Sequence, residues 1–290
     1  MIKNLATQHP VQTLCRVLAV PRSGYYQWLH AAPGPRAQAN QQLLEHIRNA
    51  FAQSRQTYGS PRITHQLRRQ QIPCSENRVA RLMRRHHIRA QSKRPFRPRT
   101  TNSRHLQGFA PNRLKPKPQL SGVNQAWVAD ITYISTQGGW IYLAGVMDLF
   151  SRKIVGWSLG YTLQSSLAQN ALKQALALRH PVIGLLHHSD RGLQYASSSF
   201  QALLQSNQIL PSMSASGHCY DNANMESFWS TLKSELIHQH VYTDLPQARS
   251  AIFEYIEVFY NRQRLHSALG FQSPVEFEQL STPNPITTHK

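Results

Sequence analysis

The second half of the chain alternates between apolar runs that fit strands and apolar periods that fit helices. Three runs come first, WVADITYI, WIYLAGVMDLF and KIVGWSLGY, with turn residues at Gly138-Gly139 and near Ser151. Such runs of β-branched and aromatic residues predict strands. The sequence then predicts helix, strand, helix, strand and helix in SSLAQNALKQALAL, LLHHSD, SSSFQALLQSN, ILPSMS and DNANMESFWSTLKSELI, with a further helix in LPQARSAIFEYIEVFYNRQR.

The order of these elements determines the expected fold class. Three strands followed by helix, strand, helix, strand and helix is the order of a ribonuclease-H-like α/β domain. We therefore expect a mixed five-stranded sheet with flanking helices over residues 123–280, followed by a tail at 281–290. Aromatic residues at helical spacing in the last two helices are expected in the core: Phe228, Trp229, Phe253, Tyr255, Phe259 and Tyr260.

The amino-terminal part of the chain shows helical spacing of its apolar residues. Over residues 36–90, Pro61 fits a helix start and Ser75 fits an N-cap before a buried stripe. This pattern predicts an all-α, helix-turn-helix-like DNA-binding region. Residues 1–35 are predicted to form a separate helical segment, a second candidate helix-turn-helix, and residues 91–122 a basic, proline-rich linker.

The charge of the chain is concentrated in its amino-terminal part. Residues 1–125 contain 22 Lys or Arg and two acidic residues, a net +20, whereas the rest of the chain has a net charge of −1. Such a surplus favours a nucleic-acid partner. An anionic membrane is the weaker alternative, because no apolar run of about 18 residues occurs. The start lacks an apolar signal segment and the cysteines are widely separated, so we expect a cytoplasmic protein.

The arginines of the predicted helix after Ser75 have no acidic residues beyond Glu76 to balance them. A solvated charged face is the alternative, but the surplus favours DNA phosphate contacts. Lys233 is equally well explained as a phosphate contact or as a surface lysine paired with a glutamate. The expected DNA contacts are Arg78, Arg81, Arg84 and Arg85 in this helix, Lys93, Arg94 and Arg97 in the linker, and Lys233.

Three carboxylates stand in apolar or small-residue surroundings, where an unpaired charge is unfavourable. They are Asp130 in VADITY, Asp190 in HHSDRGLQY and Glu226 in NMESFW, with 59 and 35 residues between them. Bound Mg²⁺ would compensate their charge, since it prefers carboxylate oxygens and keeps positions for phosphate. Two ions held by three carboxylates can support phosphoryl transfer. The expected catalytic and metal-binding residues are therefore Asp130, Asp190 and Glu226.

The spacing of residues around the predicted helix shows which polar residues share a face with Glu226. Asn222 and Lys233 share its helix face, whereas Asp221 lies about 140° around the helix. Asp221 is therefore expected to cap or begin the helix, and Asn222 becomes a site-lining candidate.

Three other polar residues are open to more than one interpretation. His188 precedes Asp190 and Arg191 follows it, so both are site-lining candidates. His188 is otherwise a strand residue and Arg191 a turn cap. Asp148, at the exit of the second strand, is a rival carboxylate, although a bond toward Ser151 or Arg152 that stabilises the turn is the commoner role.

Several blocks together resemble the second-frame product of insertion-sequence-three transposases. These blocks are VADITYI, GVMDLFSRKIVGW, HSDRGLQY, CYDNANMESFWSTLKSEL and EYIEVFYNRQRLHSALGFQSP, with YGSPRITHQLR and RVARLMRRHHI matching the family's helix-turn-helix segment. The resemblance covers about Tyr58 to Phe277. It implies a DDE integrase catalytic core, related to retroviral integrases, over residues 123–280.

The resemblance also implies a chemistry and partners. Asp130, Asp190 and Glu226 would bind two Mg²⁺ ions, with Mn²⁺ as a substitute. Water would cleave DNA at the terminal inverted repeats, and the free 3′-OH would attack a target phosphodiester. Partners would be the two DNAs, further copies of this chain on DNA, and the upstream-frame protein or a fusion with it, in the bacterial nucleoid. The alternatives are a DNA-binding regulator with an inactive core, and a ribonuclease-H-like nuclease or resolvase that hydrolyses without joining.

Overall fold

The computed structural model describes residues 1–90, 110–115, 118–214 and 222–281. The amino-terminal segment contains α1 (Ile2–Leu5), α2 (Val11–Val17) and α3 (Arg22–His30). These short helices enclose a small apolar cluster of their own, formed by Ile2, Leu14, Cys15 and Tyr25.

The helix-turn-helix-like region consists of α4 (Pro35–Gln53), α5 (Ser60–Arg69) and α6 (Glu76–Arg85). Pro61 lies in the first turn of α5, and the Ser75 hydroxyl accepts a hydrogen bond from the Arg78 amide, as the sequence predicts. The apolar faces of these helices pack together through Ile47, Ile63, Leu67 and Val79, which are fully buried.

In the described part of the chain, five strands form one mixed sheet. They are β1 (Ala126–Thr136), β2 (Gly139–Asp148), β3 (Ile154–Gly160), β4 (Leu186–Ser189) and β5 (Leu210–Met213). Their order is β3-β2-β1-β4-β5, with antiparallel pairing among β1, β2 and β3 and parallel pairing of β4 with β1 and β5. This order confirms the predicted ribonuclease-H-like fold class.

Helices cover both faces of the sheet. They are α7 (Ser165–Arg179), α8 (Leu193–Ala196), α9 (Ser198–Ser206), α10 (Ala223–Glu235), α11 (Leu245–Phe253) and α12 (Pro274–Ser281). A π-helix continues α11 from Glu254 to Tyr260, and 3₁₀ turns occupy Ile237–Gln239 and Ser267–Leu269. The single helix predicted from LPQARSAIFEYIEVFYNRQR therefore changes its hydrogen-bonding pattern halfway. Phe253, predicted in the core, is 53% exposed, and the other five aromatic residues are buried.

The helix-turn-helix-like region packs directly against the carboxyl-terminal segment of the sheet domain. The Tyr58 hydroxyl accepts a hydrogen bond from the Leu265 amide at 2.7 Å, and Arg62 Nε donates to the Leu265 carbonyl at 2.9 Å. Arg69 pairs with Glu276 at 3.1 Å. The predicted ranges 36–90 and 123–280 thus share a polar interface.

Candidate active site

Asp130 lies on β1, and Asp190 directly follows the neighbouring parallel strand β4. The β1–β4 register pairs Ala126 with Leu186 and Val128 with His188, a constant offset that brings Asp130 opposite Asp190 when it is continued two residues. Because adjacent strands lie about 4.8 Å apart, the two aspartates are neighbours at the carboxyl end of β4. Strand register therefore brings together two residues that are far apart in the sequence.

The electrostatics of Asp130 report the same proximity. Burial of its carboxyl, together with the negative charge of Asp190, raises the pKa of Asp130 to about 7, and Glu226 adds to this effect. Hydrogen bonds from the Ile131 backbone and Trp229 act in the opposite direction. The negative charges of Asp190 and Glu226 therefore both act on Asp130.

Trp229 orients the carboxylate of Asp130. Its indole Nε1 donates to Asp130 Oδ2 at 3.0 Å. Room for the indole ring comes from Gly145, the partner of Asp130 in β2, since a Cβ there would lie 2.9 Å from Trp229 Cη2. The sequence predicted Trp229 only as a core residue. Its position three residues after Glu226, on the adjoining part of the helix face, was the signal for this second role.

Glu226 lies in the first turn of α10, where its side chain is exposed. Asn222 precedes the helix and is buried, and its Nδ2 donates to the Ala129 carbonyl at 3.3 Å. This bond ties the beginning of α10 to the strand residue before Asp130. Asn222 therefore holds the helix that carries Glu226, from a position before the helix rather than on its face.

The turn after β4 orients Asp190. The Gly192 amide donates to Asp190 Oδ1 at 2.9 Å. Arg191 Nε donates to the Ser214 carbonyl at 2.8 Å, which joins this turn to the end of β5. The sequence left two roles open for Arg191, a phosphate contact and a cap of this turn. The bond to Ser214 fits the second of these roles.

His188 is part of the sheet interior. Its ring is fully buried, with Nδ1 2.8 Å from the Ser212 hydroxyl and Nε2 3.0 Å from the Ser214 hydroxyl. The ring therefore has no accessible surface for a substrate, and it joins β4 to β5 behind Asp190.

Lys233 lies over the ring of Tyr133, with Nζ 4.5 Å from the ring centroid. Burial lowers the pKa of this lysine, and the charge of Asp130 partly opposes the effect. Lys233 is therefore a half-buried cation beside the carboxylates. Among the described residues, no glutamate forms an ion pair with it.

Asp148 serves the β2–β3 turn. Its register partner in β1 is Trp127, three residues before Asp130. Its Oδ1 accepts hydrogen bonds from the amides of Phe150 and Ser151, and its Oδ2 accepts one from the Asn124 amide. The buried carboxylate is therefore satisfied within the turn, and Asp148 takes the structural role that the sequence left open.

The predicted DNA-contact arginines of α6 fall into two groups. Arg78 is half-buried and its Nε donates to Asn40 Oδ1 at 2.9 Å, which joins α6 to α4. Arg81, Arg84 and Arg85 are exposed. Lys93, Arg94, Arg97 and Asp221 lie outside the described residues.

The donor set of the three carboxylates matches a hard divalent cation. All of the oxygens belong to ionisable carboxyls, and burial together with the charges of Asp190 and Glu226 raises the pKa of Asp130. Within the described ranges, no group of three His, Cys, Asp or Glu side chains is close enough to hold a metal ion as it stands. In the same ranges, no helix is long and apolar enough to cross a membrane.

The sheet order and the paired aspartates define the class of integrase-core proteins. Family models agree: residues 121–219 and 207–274 match two models described as integrase core domain, and residues 38–96 match an HTH-like domain. The helix-turn-helix-like domain implies DNA as a partner.

Relatives identify the family within this class. The chain is 43% identical over 266 residues to the insertion element IS600 uncharacterized 31 kDa protein of Shigella sonnei, covering 92% of this chain and 97% of the relative. It is 41% identical over 281 residues to transposase InsF for insertion sequence IS3A of Escherichia coli K12, covering 96% of both. The chain belongs to the insertion-sequence IS3 family of transposases, and its integrase core supports a polynucleotidyl transferase activity.

Solved structures with a similar fold are viral integrases. The HTLV-2 integrase catalytic core domain in complex with magnesium is 17% identical, with a TM-score of 0.42 over 54% of this chain and 97% of that chain. The simian T-cell lymphotropic virus intasome in complex with PP2A regulatory subunit B56 gamma is 17% identical, with a TM-score of 0.48 over 80% and 77%. The fold assignment itself rests on strand order and the family models.

Proposed function

We propose that this transposase cleaves DNA at the terminal inverted repeats of its element and joins the freed 3′ ends to target DNA, with Asp130, Asp190 and Glu226 as the catalytic, metal-binding residues. The observation that carries the proposal is the β1–β4 register, which makes Asp130 and Asp190 neighbours at the end of β4. Glu226 supports it, because its charge acts on Asp130 from α10.

Two Mg²⁺ ions, with Mn²⁺ as a substitute, fit the all-carboxylate donor set. When bound, they would supply charge stabilisation for phosphoryl transfer. The chain's own contribution is to hold the carboxylates in place, through Trp229 for Asp130, the Gly192 amide for Asp190, and Asn222 for the helix that carries Glu226. Lys233, half-buried beside Asp130, can attract a DNA phosphate to the site.

DNA would reach this site through the basic amino-terminal part of the chain. Exposed Arg81, Arg84 and Arg85 on α6 are proposed phosphate contacts, together with Lys93, Arg94 and Arg97. Joining two element ends to one target requires further copies of the chain on DNA. Cooperation with the upstream-frame protein, separately or as a fusion, and action in the bacterial cytoplasm at the nucleoid belong to the same proposal.

The test compares Asp190→Asn with wild type on labelled DNA that carries the element's terminal repeat, in Mg²⁺. The variant should lose cleavage and strand transfer while keeping repeat binding, because the substitution removes one charge and leaves the fold unchanged. Glu45→Gln, an exposed carboxylate on α4, is the matched control and should remain active. Wild-type cleavage by Asp190→Asn would overturn the assignment.

A 3′-OH donor strand distinguishes joining from hydrolysis. A transposase should transfer that strand into target DNA. Hydrolysis without joined product, in the presence of the upstream-frame protein, would instead indicate a nuclease or resolvase. DNA binding without cleavage by the same mixture would indicate a regulator.

A further inference from the structure

A polar cleft of about 400 Å³ lies between the helix-turn-helix-like region and the sheet domain. Its walls come from α5, from α10, from the β2–β3 turn and from the segment after the π-helix. Six residues of α10 line it, and they are centred roughly 140° around the helix from Glu226, at about 100° per residue: Asn224, Ser227, Phe228, Thr231, Ser234 and Glu235. The cleft therefore faces away from the three carboxylates.

The side chains lining this cleft carry an excess of positive charge. Arg62, Arg152 and Arg264 line it, and of the described residues that line it, Glu235 is the acidic one. Glu235 is already engaged, because Arg264 binds its carboxylate at 2.6 and 2.8 Å. That pair is neutral as a unit, so the charges of Arg62 and Arg152 remain unbalanced.

Arg152 is the least compensated of these cations. Burial lowers the pKa of its guanidinium, and within the described ranges no side chain forms an ion pair or hydrogen bond with that group. Arg62 uses Nε to bind the Leu265 carbonyl. Its remaining guanidinium N–H groups have no acceptor in the described part of the chain, so both arginines can donate to a ligand.

His266 lies beside these arginines. Its Nε2 is buried without a hydrogen-bond partner among the described residues. Burial and the charges of Arg264, Arg62 and Arg152 lower its pKa to about 2. Burial and the nearby arginines therefore keep the ring neutral, and its Nε2 can form a hydrogen bond with a ligand.

We propose that this cleft is an anion site that binds a phosphate group between Arg62 and Arg152, with His266 against it. Guanidinium groups match the oxygens of phosphate in charge and geometry. The shared chemistry belongs to a backbone phosphodiester of bound DNA and to free inorganic phosphate. Neither the cleft nor its arginines take part in the proposed carboxylate chemistry, and the test below measures binding alone, so its failure leaves that chemistry untouched.

The first arm measures thermal unfolding of the full chain in inorganic phosphate against chloride at equal ionic strength. Binding to the folded state should raise the unfolding temperature of wild type by about 2–4 °C beyond the general salt effect. Arg152→Gln and Arg62→Gln should lose this increment, whereas Arg152→Lys, which keeps the charge, should retain part of it. Arg249→Gln is the control, since this exposed arginine of α11 likewise donates to a backbone carbonyl, that of Leu159.

The second arm measures affinity for duplex DNA as a function of salt. If the cleft takes a DNA phosphate, Arg152→Gln should lower the slope of log affinity against log salt by about 1, with Arg249→Gln unchanged. If phosphate raises the unfolding temperature but Arg152→Gln leaves the salt slope of DNA binding unchanged, the site binds free phosphate. Folded Arg152→Gln and Arg62→Gln proteins that match wild type in both arms would overturn the proposal.

Discussion

Trp229 donates its indole hydrogen to Oδ2 of Asp130 across 3.0 Å, so that α10 is bonded directly to the central strand of the sheet. The same helix carries Glu226 one turn earlier. A single hydrogen bond therefore orients the Asp130 carboxylate and joins its strand to the helix that carries Glu226. Burial and the neighbouring carboxylates disfavour ionisation of Asp130, whereas the hydrogen bond from Trp229 favours its charged form.

Trp229→Phe tests this relationship, because it keeps most of the ring volume and removes the donor. Loss of a hydrogen bond that orients a metal-binding carboxylate typically lowers activity or metal affinity by about 10–100-fold. We expect a strand-transfer rate reduced to that extent and a higher Mg²⁺ requirement. Trp157→Phe is the matched control, since its indole donates to Glu257 at 3.0 Å outside the site. Equal losses in both variants would contradict a specific role for Trp229.

Gly145 provides the space that the Trp229 ring occupies. In Gly145→Ala the new Cβ would lie 2.9 Å from Trp229 Cη2 and 3.1 Å from Met225 Cε, so the ring must shift. Overpacking of this kind destabilises by about 1–3 kcal/mol. Urea unfolding should show that loss together with reduced strand transfer. Gly138→Ala, where the nearest atom is 3.7 Å away, should have a much smaller effect on both measurements.

Asp148→Asn separates a structural aspartate from a catalytic one. The substitution places an amide among backbone donors that now bind a carboxylate, and we expect the free energy of unfolding to fall by about 3 kcal/mol. Asp190→Asn should lose activity with little change in stability. An Asp148→Asn protein that unfolds like wild type but does not cleave DNA would indicate that Asp148 acts in catalysis and does not stabilise the β2–β3 turn.

Local patterns in the sequence predict the helices and strands, whereas contacts between distant residues depend on how those elements pack. Strand alternation and helical spacing were sufficient to predict the fold class of the sheet domain and the order of its elements. The indole bond to Asp130 depends on how α10 crosses β1, which periodicity within either element does not contain. The cleft around Arg152 and His266 likewise joins residues more than 100 positions apart in sequence. Phe253 failed as a core prediction because the helix turns that face to solvent.

Glu278 on α12 makes stability depend on pH. Burial alone would raise its pKa, but hydrogen bonds from Arg179 and Ser151 and the charges of Arg179 and Lys153 outweigh burial and hold the pKa below its ordinary value of 4.5. A carboxyl whose pKa is lower in the folded state stabilises the protein above about pH 4.5, and this contribution disappears as the pH falls through the folded-state pKa.

Glu278→Gln should therefore lower the free energy of unfolding by about 2–3 kcal/mol near neutral pH. The difference from wild type should shrink as the pH falls from 4.5 through the lower folded-state pKa, because the wild-type carboxyl becomes protonated over that range. Urea midpoints measured across this range check both statements, with exposed Glu45→Gln as the control. A difference that stays constant with pH would mean that the ion pairs with Arg179 and Lys153 do not contribute.

The arginines of α6 provide a matched comparison for DNA binding, because one of them is held by the protein and others are not. Arg81→Gln, Arg84→Gln and Arg85→Gln change exposed side chains and should each weaken duplex binding and lower its salt dependence by about 1 unit of slope per lost contact. Arg78 donates to Asn40, so Arg78→Gln should lower the unfolding temperature and leave the salt slope nearly unchanged. Anisotropy titrations at several salt concentrations measure the slopes. If Arg78→Gln shows the largest slope change, then α6 meets DNA through the face that packs on α4, and the proposed docking of this region is wrong.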